Sequence, residues 1–225
     1  MCEYLSAQNY TWQLIVVNDG SKDDTLSISQ ERAAKHPEIV VMDCQPNHGK
    51  GYVVRQGMLK GNADWLLISD ADLATPIEEI EKLLPAATSD NVIVIGSRPL
   101  KESQLEVRQP LYRELGGRGF NKLVQMLGVP GIKDTQCGFK LFSDRAAKDI
   151  FGRCKTNRWG FDFEALMIGK DLGYTIAEIG VKWRHIEGSK FAPFRDGPKM
   201  LKELIALRFA GKKKRCEPNG ELRAD

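Results

Sequence analysis

The chain has 225 residues, of which 42% are hydrophobic and 28% are charged. These are the proportions of an ordinary globular domain, so disordered, collagen-like and low-complexity classes are excluded. The apolar runs are short, four residues at 92–95 for example, whereas a helix needs roughly 20 to span a bilayer. The five cysteines form no CxxC pair, which argues against a disulfide framework or a cysteine zinc site and predicts a reducing compartment, the cytoplasm.

The net charge of +3 hides an uneven distribution. Residues 182–215 contain eleven Lys and Arg against three acids, a balance of +8, so the rest of the chain carries −5. A basic segment on an acidic body indicates an anionic partner, such as a phosphate, a lipid surface or nucleic acid. The basic run 212–215 is equally compatible with a solvated tail, and the acidic body argues against nucleic acid.

In chain order, the first half alternates short β-branched runs with helical patterns. Thr75 is the expected N-cap of the last of these helices, with Pro76 in its first turn. Strand–helix alternation predicts an α/β fold with right-handed crossovers and a mostly parallel sheet. The predicted strands are 13–18, 39–43, 65–69 and 92–96, and the predicted helices are 24–36, 51–62 and 76–87.

The second half has a different pattern, in which helices predominate. We expect a smaller α+β portion here, beside the sheet of the first half. The predicted helices are 111–128, 162–172 and 198–209, and the predicted strands are 137–142 and 174–185.

Two acidic clusters follow predicted strands, at the carboxyl ends where open α/β sheets bind ligands. The first is Asn18-Asp19-Gly20-Ser21, in which Gly20 permits a tight turn. Asp19 is placed to accept a hydrogen bond from an N–H group of a bound base, or it caps the turn. Asp24 lies near a helix start, where its charge suits the helix dipole.

The second cluster, Asp70-Ala71-Asp72, follows the buried run 65–69. Two ionised carboxylates beside a core are costly unless a cation neutralises them. Hard oxygen ligands with room for phosphate oxygens suit Mg²⁺ or Mn²⁺, so this motif predicts a metal site. Solvated turn carboxylates are the alternative.

Further polar residues offer weaker signals. Gly49-Lys50-Gly51 begins like a dinucleotide-binding fingerprint, but the spacing of the next glycine and the preceding strand do not fit. His185 ends a predicted strand and is either a metal ligand or structural. Basic residues follow the fourth strand, and arginine is the preferred residue for bidentate phosphate contacts. These residues are Arg98, Arg108, Arg113 and Arg118, each alone a plausible surface charge.

Taken together, residues 16–25 (VVNDGSKDDT) and Asp70-Ala71-Asp72 resemble the nucleotide and DxD motifs of inverting family 2 glycosyltransferases with the GT-A fold. Three longer blocks, 134–142 (DTQCGFKLF), 158–164 (RWGFDFE) and 183–190 (WRHIEGSK), resemble the dolichyl-phosphate glucosyltransferase branch. That branch moves glucose from UDP-glucose to a polyprenyl phosphate. The related mannosyltransferases, which use GDP-mannose, are a near alternative.

The resemblance implies a role for each matching residue. Asp134 either acts as a base, as in relatives with hydroxyl acceptors, or orients Lys140 or an arginine. The expected catalytic residues are Asp72, Arg98, Arg113 and Asp134. The residues expected to contact the nucleotide sugar are Asp19, Lys50, Asp70, Ser189 and Lys190. Those expected to contact the acceptor phosphate are Arg98, Arg113 and Arg118. The expected ligands of Mg²⁺ or Mn²⁺ are Asp70, Asp72 and His185.

The resemblance also implies the overall organisation. We expect a single GT-A (Rossmann-like) domain over 1–225, with a nucleotide-sugar half (1–97), an acceptor-side half (98–197) and a basic C-terminal helix and tail (198–225). The helix at 198–209 and the cations after it predict peripheral attachment to the cytoplasmic face of a membrane. A helix packed in the core with a free tail is the alternative.

Three departures from the family pattern matter. The family's first strand, which ends in a nucleotide-contacting stretch, and the N-terminal anchor of the eukaryotic glucosyl enzymes have no counterpart here. We therefore expect that the sequence is truncated, differently started or incomplete at the donor site, and a non-catalytic sugar-nucleotide-binding fragment is an alternative. Ala74 stands where the mannosyl branch has Gln, which fits the glucosyl branch.

Overall fold

The structure, a computed structural model, describes residues 1–107, 111–186 and 192–220, except for the side chains of residues 111–115, 118, 193 and 194. Strands and helices alternate through most of these ranges. The strands are β1 (Leu14–Asn18), β2 (Ile39–Asp43), β3 (Trp65–Ser69), β4 (Val92–Ser97), β5 (Gln104–Val107), β6 (Phe139–Ser143), β7 (Thr175–Gly180) and β8 (Lys182–Arg184). The helices are α1 (Cys2–Ser6), α2 (Thr25–Lys35), α3 (Lys50–Lys60), α4 (Ile80–Leu83), α5 (Leu111–Leu127), α6 (Asp144–Phe151), α7 (Phe161–Leu172) and α8 (Pro193–Arg215).

The largest sheet has the strand order β3-β6-β4-β7. β4 and β7 are parallel, whereas β6 lies antiparallel between β3 and β4, with Ser69 opposite Phe139 and Ile95 opposite Lys140. Two parallel pairs, β1-β2 and β5-β8, form separate small sheets. Because β6 runs opposite to its neighbours, the residues before it lie at the same edge as the residues that follow β3 and β4. This edge carries the candidate site.

The core is built around β6 and α7. All five residues of β6 are buried, and so are the first nine residues of α7. Most of these α7 residues are apolar, as expected of a helix in the interior, but the charged residues Asp162 and Glu164 are buried among them. Burial of each large apolar side chain contributes about 1.5–3 kcal/mol. These two elements therefore form a rigid base beneath the sheet edge.

The C-terminal helix α8 packs against α5 and α7 and buries Met200 and Leu204. Its backbone is interrupted at Gly211, where φ is 76°, a conformation that favours glycine. Phe209 is 84% exposed. The helix thus belongs to the core along one face and leaves an aromatic side chain and the basic run 212–214 on the surface.

Most predicted elements are present, with shifts of one or a few residues at their ends. The predicted helix at 76–87 is wrong as a continuous helix, because two 3₁₀ turns, at 77–79 and 84–86, flank the short α4. Pro85, which has no backbone N–H to donate, lies in the second of these turns. Thr75 makes no capping bond; its buried hydroxyl lies 4.0 Å from Cys137 Sγ. The predicted strand at 174–185 is two strands, β7 and β8, in different sheets. Three elements, α1, β5 and α6, were not predicted from the sequence.

Within the described parts of the chain, no helix combines the length and the apolar character needed to cross a bilayer.

Candidate active site

The acidic turn after β3 lies at the predicted sheet edge. Asp72 is exposed, and its Oδ1 accepts the Ala74 N–H at 3.0 Å. Leu73 has φ 51°, in the left-handed region that residues other than glycine rarely adopt. Such conformations persist where the surrounding structure enforces them, often at functional turns. The turn therefore presents the Asp72 carboxylate to solvent in a fixed orientation.

Lys50, the first residue of α3, closes this turn from one side. Its Nζ lies 2.5 Å from Asp70 Oδ1 and 5.8 Å from the ring centroids of both Trp159 and Phe161. Burial alone would lower the pKa of the Lys50 ammonium, but Asp70, Asp162 and Asp72 outweigh it and raise the pKa. Lys50 therefore stays charged beside the acidic turn.

The segment before β6 forms the floor beneath Asp70. A Cβ atom at Gly138 would lie 2.1 Å from Asp70 Oδ2, so only glycine allows this approach. Two residues further on, Lys140 is buried and pairs with Asp162 of α7. Burial raises the pKa of Asp162, an effect that Lys140 and Lys50 only partly offset. Four charged groups, two of each sign, are thus packed at this edge: Lys50, Asp70, Lys140 and Asp162.

Asp19 follows β1, and its carboxylate is bound within the protein. It accepts the main-chain N–H groups of His48 and Gly49 at 2.8 and 3.0 Å, and Asn47 Nδ2 at 2.8 Å. Gly20 has φ 66°, as the tight turn predicted there requires. Asp19 therefore fixes the loop that leads into α3 and Lys50. Contact with a nucleotide base stays a prediction for this residue.

Arg98, the first residue after β4, forms a bidentate ion pair with Asp134, with Nε–Oδ2 at 2.7 Å and Nη2–Oδ1 at 2.9 Å. Burial opposes both charges, but the pairing outweighs it, so the pKa of Arg98 is raised and that of Asp134 is lowered. The guanidinium also lies 5.4 Å from the Trp183 ring centroid. This geometry agrees with the expectation that Asp134 orients an arginine.

A further residue, Glu178 of β7, supports this pair and was not singled out from the sequence. Its Oε1 accepts the Asp134 N–H at 2.9 Å and the Ser97 hydroxyl at 2.8 Å, and its Oε2 accepts the Lys133 N–H at 2.8 Å. Only the charge of Glu178 within an apolar strand pattern could have drawn attention to it. The segment 134–138 therefore touches Arg98 at one end and Asp70 at the other.

The predicted metal set of Asp70, Asp72 and His185 does not form a group in the structure. Among the residues at 1–107, 111–186 and 192–220, no three His, Cys, Asp or Glu side chains lie together as a metal site would need. His185 follows β8, which pairs with β5, and its ring lies 6.2 Å from that of Trp183. The prediction of a three-residue site including His185 is therefore wrong for this structure.

Several predicted site residues cannot be placed. Ser189 and Lys190 lie outside the described residues, as does Arg108, and the side chains of Arg113 and Arg118 are not described although their backbone belongs to α5. Their roles in binding the diphosphate and the acceptor phosphate stay predictions.

Comparisons with known proteins show which family and which relatives this chain resembles. The family model described as Glycosyl transferase family 2 matches residues 3–151. A dolichyl-phosphate beta-glucosyltransferase of Trichomonas vaginalis is 43% identical over 186 residues, covering 80% of this chain and 55% of that protein. The human protein of the same name is 38% identical over 208 residues, covering 89% of this chain and 64% of that protein. The chain thus spans less than two thirds of the length of these relatives.

A solved structure shows a similar fold at low sequence identity. Glucosyl-3-phosphoglycerate synthase of Mycobacterium tuberculosis, crystallised with Mn²⁺, UDP and glucosyl-3-phosphoglycerate, gives a TM-score of 0.60 at 19% identity. The match covers 92% of this chain and 70% of that one. At this identity the likeness concerns the fold alone, and it confirms the predicted α/β fold of the GT-A type.

Proposed function

The chain belongs to glycosyltransferase family 2, and from this premise we propose that it transfers glucose from UDP-glucose to a polyprenyl or dolichyl phosphate. The observation that carries the proposal is the 43% identity, over 80% of the chain, to a protein named dolichyl-phosphate beta-glucosyltransferase. The sheet edge that carries Asp70, Asp72, Lys50 and Arg98 supports the proposal. Its carboxylates suit a metal ion bound to the donor diphosphate, and its cationic side chains suit the diphosphate and the acceptor phosphate.

On the donor side, the residues present fit a divalent cation with few protein ligands. Asp72 is exposed and commits one oxygen to the Ala74 N–H, and Asp70 lies two residues before it. Mg²⁺ and Mn²⁺ accept one or two carboxylates together with substrate phosphate oxygens. Bound there, the ion would neutralise charge that develops on the departing diphosphate. We assign Asp72, with Asp70 beside it, to this role.

Lys50 adds a positive charge at the same place. Its ammonium is held between Asp70 and the faces of Trp159 and Phe161. A cation fixed in a partly dry site stabilises a developing negative charge more strongly than one in water. We therefore assign Lys50 to the donor diphosphate, next to the predicted contribution of Ser189 and Lys190.

On the acceptor side, no strong general base is needed. A phosphate monoester has its second pKa near 6, so it is largely a dianion at neutral pH. What it requires is position and charge screening behind the anomeric carbon. Arg98 has five N–H donors, of which Asp134 accepts two, and the others are directed to the acceptor phosphate in our proposal, together with Arg113. A single displacement then inverts the anomeric configuration.

The lipid nature of this acceptor gives the basic end of the chain a role. Phe209 is exposed, and Lys212, Lys213 and Lys214 follow it on the surface. Exposed aromatic and basic side chains next to each other favour binding to an anionic membrane surface. We propose that α8 contacts the cytoplasmic face of a membrane with this end while Met200 and Leu204 keep it in the core.

The test is a transfer assay with a panel of donors. Purified protein is incubated with Mn²⁺, a short-chain polyprenyl phosphate and radiolabelled UDP-glucose, UDP-galactose or GDP-mannose. We expect lipid-extractable label from UDP-glucose at least tenfold above the others. Label from GDP-mannose alone would make the protein a mannosyltransferase, and no label from any donor would contradict the proposed activity.

A further inference from the structure

Lys140 is a charged residue, the second of the five in the buried strand β6. Its side chain is 1% exposed, and its Nζ donates to the Cys137 carbonyl at 2.6 Å and pairs with Asp162. Burying such a pair is costly, and apolar residues of similar volume are often at least as stabilising. Stability of the fold alone therefore does not account for an ion pair at this position.

Two structural routes connect Lys140 with Asp70. The first runs through the main chain: Lys140 holds the Cys137 carbonyl, and the next residue, Gly138, packs directly against the Asp70 carboxylate. Movement of the peptide between Cys137 and Gly138 would change the surface against which the Asp70 carboxylate packs. A Cβ atom at Gly138 would lie 2.1 Å from Asp70 Oδ2, so the backbone of Gly138 and the Asp70 carboxylate are already in close contact.

The second route runs through charge. Asp162 pairs with Lys140 and also acts electrostatically on Lys50, whose ammonium contacts Asp70 at 2.5 Å. Asp162 thus shares the positive charge of Lys50 with Asp70. Loss of Asp162 would leave Asp70 and Asp72, the carboxylates of the turn after β3, to attract the Lys50 ammonium, and we expect the Lys50–Asp70 contact to tighten.

We propose that the buried Lys140–Asp162 pair is a positioning device that sets the arrangement of Asp70 and Lys50 for the donor diphosphate. Neither residue of the pair touches the reacting atoms in this assignment. The consequence for donor binding rests on the proposed function, whereas the consequence for the two side chains does not.

The test compares two variants of the pair with one matched control. Lys140→Met/Asp162→Leu replaces both charges with apolar side chains, which preserves packing if the pair is merely structural. Asp162→Asn keeps a hydrogen-bond acceptor for Lys140 and removes only the charge, and it serves if the double variant fails to fold. Lys148→Met is the control, because Lys148 is also a bonded lysine, donating to the Met58, Leu59 and Gly61 carbonyls at the end of α3.

The first readout is the crystal structure of each variant. Positioning predicts that Asp70 or the Lys50 ammonium moves by about 1 Å or more in the pair variants, a displacement large enough to impair a site, and that both stay in place in Lys148→Met. Unchanged positions in the pair variants would overturn the inference, whatever the protein's activity.

The second readout is calorimetric titration with UDP and Mn²⁺. We expect affinity to fall about tenfold or more in the pair variants, and the melting temperature of the double variant to be no lower than that of the control. A double variant that binds UDP as the wild type does would overturn the inference. Failure of the proposed function would show differently, as a wild-type protein that transfers no glucose while the crystallographic comparison still decides the positioning role.

Discussion

Arg98 and Asp134 are joined by two parallel hydrogen bonds, with Nε–Oδ2 at 2.7 Å and Nη2–Oδ1 at 2.9 Å, and Asp134 also accepts the Arg98 main-chain N–H at 3.0 Å. The carboxylate therefore fixes both the backbone and the guanidinium of the residue that follows β4. An arginine held in this way has one orientation in which to meet an anionic ligand, which is the property that the acceptor side of the proposed reaction requires.

This pair predicts a selective kinetic defect. Arg98→Lys removes the planar fork and cannot reproduce the bidentate geometry. We expect the KM for polyprenyl phosphate to rise about tenfold and the KM for UDP-glucose to change less than twofold, measured by initial rates. Lys133→Ala is the control, since this exposed neighbour contributes only its main chain to the loop. Equal changes in both KM values would remove Arg98 from the acceptor side.

The same pair predicts a pH dependence of stability. The pKa of Asp134 is lower in the folded protein than in the unfolded chain, where it is about 3.9. The ionised carboxylate therefore stabilises the folded state fully above the unfolded pKa, and this stabilisation is lost as the pH falls through the folded pKa. We expect Asp134→Asn to reduce the free energy of unfolding by about 3 kcal/mol at pH 7. The gap to the wild type should close in urea titrations as pH falls below about 4. A gap that stays constant down to pH 2 would exclude this linkage.

Asp72 offers a test that separates chemistry from folding. In Asp72→Asn the side-chain oxygen still accepts the Ala74 N–H, so the turn after β3 is preserved, but the carboxylate is lost. We expect glucose transfer to fall by about 10²–10³-fold with an unchanged melting temperature. Asp64→Asn, an exposed acid just before the opposite end of β3, should retain activity. Substantial turnover by Asp72→Asn would remove Asp72 from the donor site.

The basic end of α8 can be tested without deleting the helix, whose Met200, Leu204 and Arg215–Asp171 contacts belong to the fold. Neutralising Lys212, Lys213 and Lys214 with Gln removes three cations, each contributing about 1 kcal/mol at an anionic surface. We expect binding to vesicles rich in anionic lipid to weaken by up to about 100-fold in sedimentation assays. A variant with Lys22, Lys60 and Lys101 changed to Gln carries the same net charge and should bind as the wild type does. Equal binding by the two variants would contradict the membrane role of α8.

Local patterns in the sequence predicted the bounds of two strands correctly. β2 and β3 have the bounds expected from their β-branched and apolar runs, because such runs favour strands wherever they pack. The placement of β6 could not be predicted in this way. Its antiparallel position between β3 and β4 depends on which strands it contacts, and partner choice is a property of the tertiary fold.

The candidate site shows the same division. Asp70 and Asp72 could be identified from the sequence because they follow a buried strand, where ionised carboxylates are costly unless a cation neutralises them. The pairing of Arg98 with Asp134, the support from Glu178 and the packing of Gly138 against Asp70 join residues 36, 44 and 68 positions apart. For Asp19 the motif was compatible with a base contact or with a turn cap, and the structure shows its oxygens bound by the loop at 47–49, so the base contact stays a prediction.

The most direct test of the account is a crystal structure of the protein with UDP-glucose and Mn²⁺. We expect the metal ion and the diphosphate at the turn after β3, with an Asp72 oxygen within about 2.3 Å of the metal and Lys50 within hydrogen-bond distance of a phosphate oxygen. A diphosphate bound elsewhere on the protein, with Asp70 and Asp72 facing bulk water, would contradict it.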